Sequence, residues 1–68
     1  MPNATAAEAL ELAAESGAVV TITDWQGRIF TGTPAAHPTE PGMFRVLTGR
    51  RGRPALVHRD DVEEVSAA

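Results

Sequence analysis

The sequence predicts a mainly β domain with one N-terminal α-helix, whose five strands close into a small barrel. Val20 and Ile22 alternate with threonines, and this two-residue period is typical of a strand with one buried face. Residues 24–27, DWQG, supply turn chemistry, because aspartate bonds its own backbone and glycine accepts a positive φ. Gly32 in the following strand predicts the sharp bend that lets a few strands curve into a barrel.

One helix is predicted over about residues 5–16. Thr5 and Glu8 have the spacing of a capping box, strong helix formers follow, and Ser16 and Gly17 end the run. The predicted helix is amphipathic. Its acidic face carries Glu8, Glu11 and Glu15, and its apolar face carries Ala6, Ala9, Leu10 and Ala13.

The remaining strands are predicted from apolar runs between turn-forming segments. Residues 34–42 contain three prolines and predict a loop, and residues 43–48 and 55–58 predict a second hairpin with an arginine-rich tip. Residues 43–48 are apolar on both sides, which predicts a strand covered on both faces. Residues 59–61 predict one tight turn, capped by one of its aspartates, before a short last strand.

The barrel thus covers about residues 18–66 of a single domain that spans residues 1–68. Its predicted core consists of Leu10, Val20, Ile22, Phe30, Phe44, Val46, Val57 and Val62.

Composition limits the kinds of site that the chain can carry. Its 68 residues include no cysteine, so neither a disulfide nor a thiolate metal site is predicted, and we expect no cofactor or metal. No apolar run reaches membrane-spanning length, and no basic segment precedes an apolar one at the N-terminus. We therefore expect a cytoplasmic protein without a membrane partner. A thin core and an unpaired strand edge would allow the chain to form an oligomer.

The charge distribution suggests two kinds of partner. The net charge of −3 argues against a generic nucleic-acid binder, because a net positive charge supplies most of the affinity of such proteins. However, all six basic residues are arginines located between positions 28 and 59, and residues 51–54, RGRP, resemble the core of an AT-hook. A nucleic-acid-binding surface is therefore one alternative, the other being a solvated turn. Its candidate residues are Arg45, Arg50, Arg51 and Arg53.

No set of residues predicts catalysis. His37 stands alone in the proline-rich loop, and Asp60 and Asp61 have no histidine or glutamate converging on them by spacing. We expect a binding module and not an enzyme. Trp25 in the first turn is a candidate for contact with a partner, with packing over the helix end as the alternative.

The order of helix, bent hairpin, loop, hairpin, tight turn and short strand resembles small Sm-like and Src-homology-3-like barrels. Residues 27–32, GRIFTG, look like the first Sm motif, although the segments with which Sm and Hfq proteins hold RNA do not occur. The chain also resembles the Rof family of Rho-binding antiterminators in residues 10–13, LELA, and at positions spread along the barrel. These positions are Thr21, Gly27, Phe30, Gly52 and residues 60–62, DDV.

The resemblance to Rof implies an Sm-like barrel that regulates transcription in a bacterium by binding the termination factor Rho. It implies that the acidic helix face meets the basic RNA-binding surface of Rho and excludes the transcript. The candidate partner-binding residues are Glu8, Glu11, Glu15 and Trp25. A protein-interaction module with another partner is the further alternative.

Overall fold

A computed structural model describes residues 4–47 and 54–68, and it shows a mainly β fold with one N-terminal helix. In chain order the elements are helix α1 (Ala4–Ser16), strands β1 (Val20–Asp24), β2 (Ile29–Ala36), β3 (Met43–Leu47) and β4 (Ala55–His58), a 3₁₀ turn (Arg59–Asp61) and strand β5 (Val62–Ala67). The predicted helix, hairpins, tight turn and last strand are confirmed. The predicted loop over residues 34–42 is wrong over its first three residues, because Pro34, Ala35 and Ala36 continue β2 and pair with β3. A proline can stand in a strand where the ladder does not need its missing N–H.

The five strands form one antiparallel sheet in the order β4-β3-β2-β1-β5. Strand β5 returns across the molecule to pair with β1, so the last strand lies beside the first. Strands β4 and β5 occupy the two edges and are not paired with each other within the described residues. The sheet is therefore open, and closure into a barrel stays a prediction.

Strand β2 changes partner at Gly32. Residues up to Gly32 pair with β1, ending at Val20, whereas residues from Thr33 onward pair with β3, beginning at Leu47. A glycine at this point removes the side chain where the strand leaves one neighbour for the other. The sequence predicted a bend at Gly32, and the structure places the change of strand partner at this residue.

The core lies between the sheet and the inner face of α1. Seven of the eight predicted core residues are buried, and Phe30 is partly buried and packs against them. Small side chains dominate the inner face of the helix, which allows its backbone to approach the sheet closely. Its buried residues are Ala6, Ala7, Leu10 and Ala13, while Ala9, predicted on this face, is half-buried.

The two ends of α1 compare differently with the prediction. The helix begins at Ala4, so Thr5 lies inside its first turn and the prediction that Thr5 caps the helix is wrong. At the other end, Gly17 has a φ of 70° and the Ala18 N–H donates to the carbonyl oxygen of Ala13 at 3.1 Å. A left-handed glycine that closes the last turn is the predicted ending.

Two further expectations are corrected. Strand β3 is covered on one face only, because Phe44 and Val46 are buried while Leu47 is 53% exposed. The 3₁₀ turn is capped by His58 and not by an aspartate, since His58 Nδ1 accepts the Asp60 N–H at 3.1 Å. The imidazole is positioned one residue ahead of the turn, where an N-cap acceptor belongs.

Asp24 is a buried polar side chain that organises the turn of the first hairpin. Its Oδ1 accepts the N–H groups of Gln26 at 3.0 Å and Arg28 at 2.8 Å, and its Oδ2 accepts Arg28 Nε at 2.7 Å. Burial by itself would raise the pKa of Asp24. The backbone hydrogen bond, side-chain hydrogen bond and charge of Arg28, aided by Gln26, outweigh burial and hold this pKa below its ordinary value.

We predict that Asp24→Asn lowers the free energy of unfolding at pH 7. An amide has one acceptor oxygen and no charge, whereas both oxygens of the Asp24 carboxylate accept hydrogen bonds. A lowered pKa stabilises the folded state above the unfolded value of about 4, and this stabilisation is lost as pH falls through the lowered pKa. Urea unfolding of both proteins between pH 7 and pH 2 should therefore show a difference in unfolding free energy between them that narrows only below about pH 4. If this difference stayed constant with pH, the charge of Asp24 would not stabilise the fold.

Gly42 connects the loop after β2 with the 3₁₀ turn. Its φ is 79°, its carbonyl oxygen accepts the Arg59 N–H at 2.8 Å, and a Cβ added there would lie 2.8 Å from His58 Nε2. The His58 ring cannot retreat freely, since its Nδ1 accepts the Asp60 N–H. Gly27 offers a matched comparison, with a φ of 83° and open space around a Cβ.

We predict that Gly27→Ala lowers the free energy of unfolding by about 1 kcal/mol, because alanine is strained at a positive φ. Gly42→Ala should lower it by about 1 kcal/mol more. The extra cost reflects displacement of the His58 ring from its cap. Chemical denaturation of the two variants measures the difference directly. If both variants lost the same unfolding free energy, the His58 ring would move aside without an energetic cost.

Candidate partner-binding surface

The outer face of α1 is acidic and also carries an exposed leucine. Glu8 and Glu15 are exposed, and Leu12 between them is 64% exposed. Residues four and three apart lie on one side of a helix, which places these three side chains together. With Glu11 they line a shallow depression of about 260 Å³. The face therefore offers negative charge around an apolar centre.

Glu11 differs from its two neighbours because it has an internal partner. Arg59 Nη1 donates to Glu11 Oε1 at 3.0 Å, with both side chains partly exposed. The Arg59 main chain is held by its bond to the Gly42 carbonyl oxygen, which places the guanidinium below the helix. A half-exposed pair of this kind adds at most about 1 kcal/mol to stability. Two of the three predicted carboxylates, on Glu8 and Glu15, therefore remain directed to solvent.

A second groove lies on the other side of Glu11 and Glu15, between α1 and the segment that connects β2 to β3. Its volume is about 290 Å³. Besides the two glutamates it is lined by Ala14, Ala36, Gly42, Phe44 and Arg59. The two glutamates thus form a ridge between an outer depression and an inner groove.

Trp25 projects from the turn of the first hairpin. Its backbone N–H donates to the Asp61 carbonyl oxygen at 2.9 Å, while the residue is 61% exposed. Nearby, the Arg28 guanidinium lies 5.3 Å from the centre of the Phe30 ring, a cation–π distance. The backbone of Trp25 is anchored and its indole is outside the core, so contact of the ring with a partner stays a prediction.

The arginine surface is described in part. Arg45 is exposed on β3, opposite Leu56 of β4, which is also exposed. Arg50, Arg51 and Arg53 lie outside the described residues. Nucleic-acid binding through these four arginines therefore stays a prediction.

Both histidines serve local turns. His37 Nδ1 accepts the N–H groups of Thr39 at 3.2 Å and Glu40 at 3.1 Å. His58 Nδ1 lies 3.7 Å from Asp60 Oδ2, and its capping bond accounts for this proximity. In the described ranges, 4–47 and 54–68, no group of three His, Cys, Asp or Glu residues could hold a metal ion. The expectation that the protein is not an enzyme stays a prediction.

Sequence reasoning missed two residues of this surface. Leu12 could have been found, because a helical projection places it between Glu8 and Glu15. Arg59 could not, because its contact with Glu11 depends on how the chain returns beneath the helix after four strands. The pairing is tertiary and has no local signal.

No protein-family model matches the chain, and no curated protein or solved structure matches it significantly. Within the described part of the chain, no helix is both long and apolar enough to cross a membrane.

We predict that iodide and acrylamide both quench the fluorescence of Trp25, the one tryptophan of the chain, nearly as well as they quench a free indole. Trp25→Ala should change the free energy of unfolding by no more than about 0.5 kcal/mol, as expected for an exposed side chain. A blue-shifted, poorly quenched emission would instead show that the ring packs against the protein.

Proposed function

We propose that this chain is a non-enzymatic protein-binding module whose outer helix face binds a basic surface of its partner. The observation that carries the proposal is the exposed arrangement of Glu8, Leu12 and Glu15 on a helix whose opposite face is buried. Solvated carboxylates contribute little to the fold, so their placement around an exposed leucine favours a role in recognition.

The partner we propose is the transcription termination factor Rho, by resemblance to the Rof family. The element order and the return of β5 onto β1 support the Sm-like barrel that this resemblance implies. A protein surface that normally holds RNA phosphates is basic, and carboxylates that occupy it compete with the transcript. Antitermination in the bacterial cytoplasm is therefore the activity that we propose.

Nucleic-acid binding is the second candidate, and it rests on Arg45. This arginine is exposed on strand β3, whereas the glutamates are carried by helix α1. Binding of this kind should weaken steeply with salt, because arginine contacts release counterions from phosphates.

The deciding experiment measures association of the full chain with purified Rho by surface plasmon resonance. The variant Glu8→Lys with Glu15→Lys reverses the two solvent-directed charges and leaves Glu11 paired with Arg59. We expect association to slow by about tenfold or more at low salt, and by less at high salt, because rim charges act mainly on encounter.

The matched control is Glu40→Lys with Glu64→Lys, which changes the net charge equally at exposed positions outside both grooves. Rho should still capture this control at a rate closer to that of the parent chain. Capture of both variants at the same rate would reject the helix face as the contact. If Rho never binds the parent chain, the assignment of Rho fails.

A further inference from the structure

We propose that the inner groove beside Arg59 takes one long basic side chain, lysine or arginine, from a segment of the protein partner. This inference rests on the proposed function, because it names a specific contact within a protein-binding surface. The groove runs between the second half of α1 and the β2–β3 connection. At about 290 Å³ it has room for a single side chain and part of its main chain.

The lining of the groove matches the two chemical parts of such a side chain. Ala14, Ala36 and Phe44 provide apolar surface, against which the methylene stem of a lysine or arginine can pack. Glu15 provides a carboxylate at the rim for the charged end. A fully apolar side chain would leave this carboxylate unused, and a short cation would not cover the apolar surface.

The charges of the groove select a cation over an anion. Arg59 is already paired with Glu11, so the positive charge of the groove is compensated within the protein. The Glu15 carboxylate, by contrast, makes no hydrogen bond or ion pair within residues 4–47 and 54–68. An incoming anion would meet Glu15 uncompensated, whereas a cation would be attracted by it.

A further donor points to a peptide rather than a free cation. Arg59 Nε is buried and has no hydrogen-bond partner among the residues that the structure describes, and the guanidinium reaches Glu11 through Nη1. Buried donors without partners are uncommon, and a main-chain carbonyl beside the bound side chain would provide the missing acceptor. Solvent does not reach Nε in this conformation, so we expect the guanidinium to turn when the segment binds. Its single bond to a partly exposed glutamate allows that rotation.

The test is a titration of the full, ¹⁵N-labelled chain with the capped peptide acetyl-Gly-Arg-Gly-amide, followed by amide chemical shifts. Shifts should concentrate at Ala14, Glu15, Ala36, Gly42 and Phe44. Methylguanidinium, which has the charge without the main chain, should bind more weakly. Acetyl-Gly-Glu-Gly-amide should produce no shifts in the groove.

Two variants should weaken peptide binding clearly, and a third should weaken it less. Ala36→Leu fills the groove from an exposed position at the end of β2 and should abolish the shifts. Glu15→Gln should weaken binding about threefold, as expected for loss of one half-exposed ion pair. Glu8→Gln removes the same charge from the outer depression and should have a smaller effect. The shift dispersion of each variant reports whether it is folded.

Three outcomes would overturn the groove site. They are the absence of shifts at millimolar peptide, equal shifts with the glutamate peptide, and equal sensitivity to Glu8→Gln and Glu15→Gln. The titration does not involve Rho, so its result is separate from the capture experiment. Peptide binding without Rho capture would support the groove and reject Rho. Rho capture with an empty groove would retain the proposed function and overturn this inference.

Discussion

The buried carboxylate of Asp24 is the interaction on which the first hairpin depends. A charge removed from solvent is tolerated only when donors surround it, and here the N–H groups of Gln26 and Arg28 and the Arg28 guanidinium do so. These donors can converge only if the chain reverses directly after β1, with Gly27 at positive φ. The turn therefore fixes the pairing of Ile22 with Phe30. A slip of one residue would turn the buried side of β1 toward solvent.

The same turn connects the hairpin to the candidate site. The Trp25 N–H donates to Asp61, which ends the 3₁₀ turn, and the Arg59 N–H at the start of that turn donates to Gly42. Arg59 then reaches Glu11 on the helix. Three segments distant in sequence are thus joined through main-chain bonds, and the Arg59 side chain connects them to α1. The main chain of Arg59 is therefore held at the wall of the groove between the helix and the β2–β3 connection.

The face of α1 that stabilises the fold is opposite to the face that we propose for recognition. The buried face uses alanines and one leucine, which allow close approach to the sheet and contribute most of the apolar contact of the helix with the core. The outer face carries glutamates, whose charges solvent screens, and Leu12, which is largely exposed. Replacing these residues would therefore cost the fold little. A small domain with a limited core can therefore change its outer helix face without unfolding. This separation is what makes the charge-reversal variants informative about binding.

Local patterns in the sequence determined the helix, the order of the strands along the chain, the left-handed Gly17 and Gly27 and nearly all of the core. These features depend on the period of apolar residues and on turn-forming residues, both of which can be read from a few neighbouring positions. Only the tertiary structure decided the pairing of Glu11 with Arg59 and the groove between α1 and the β2–β3 connection. Each of these depends on where the chain returns after four strands, and hence on strand order and register. Whether the edges close into a barrel is likewise decided by long-range pairing, which no local pattern encodes.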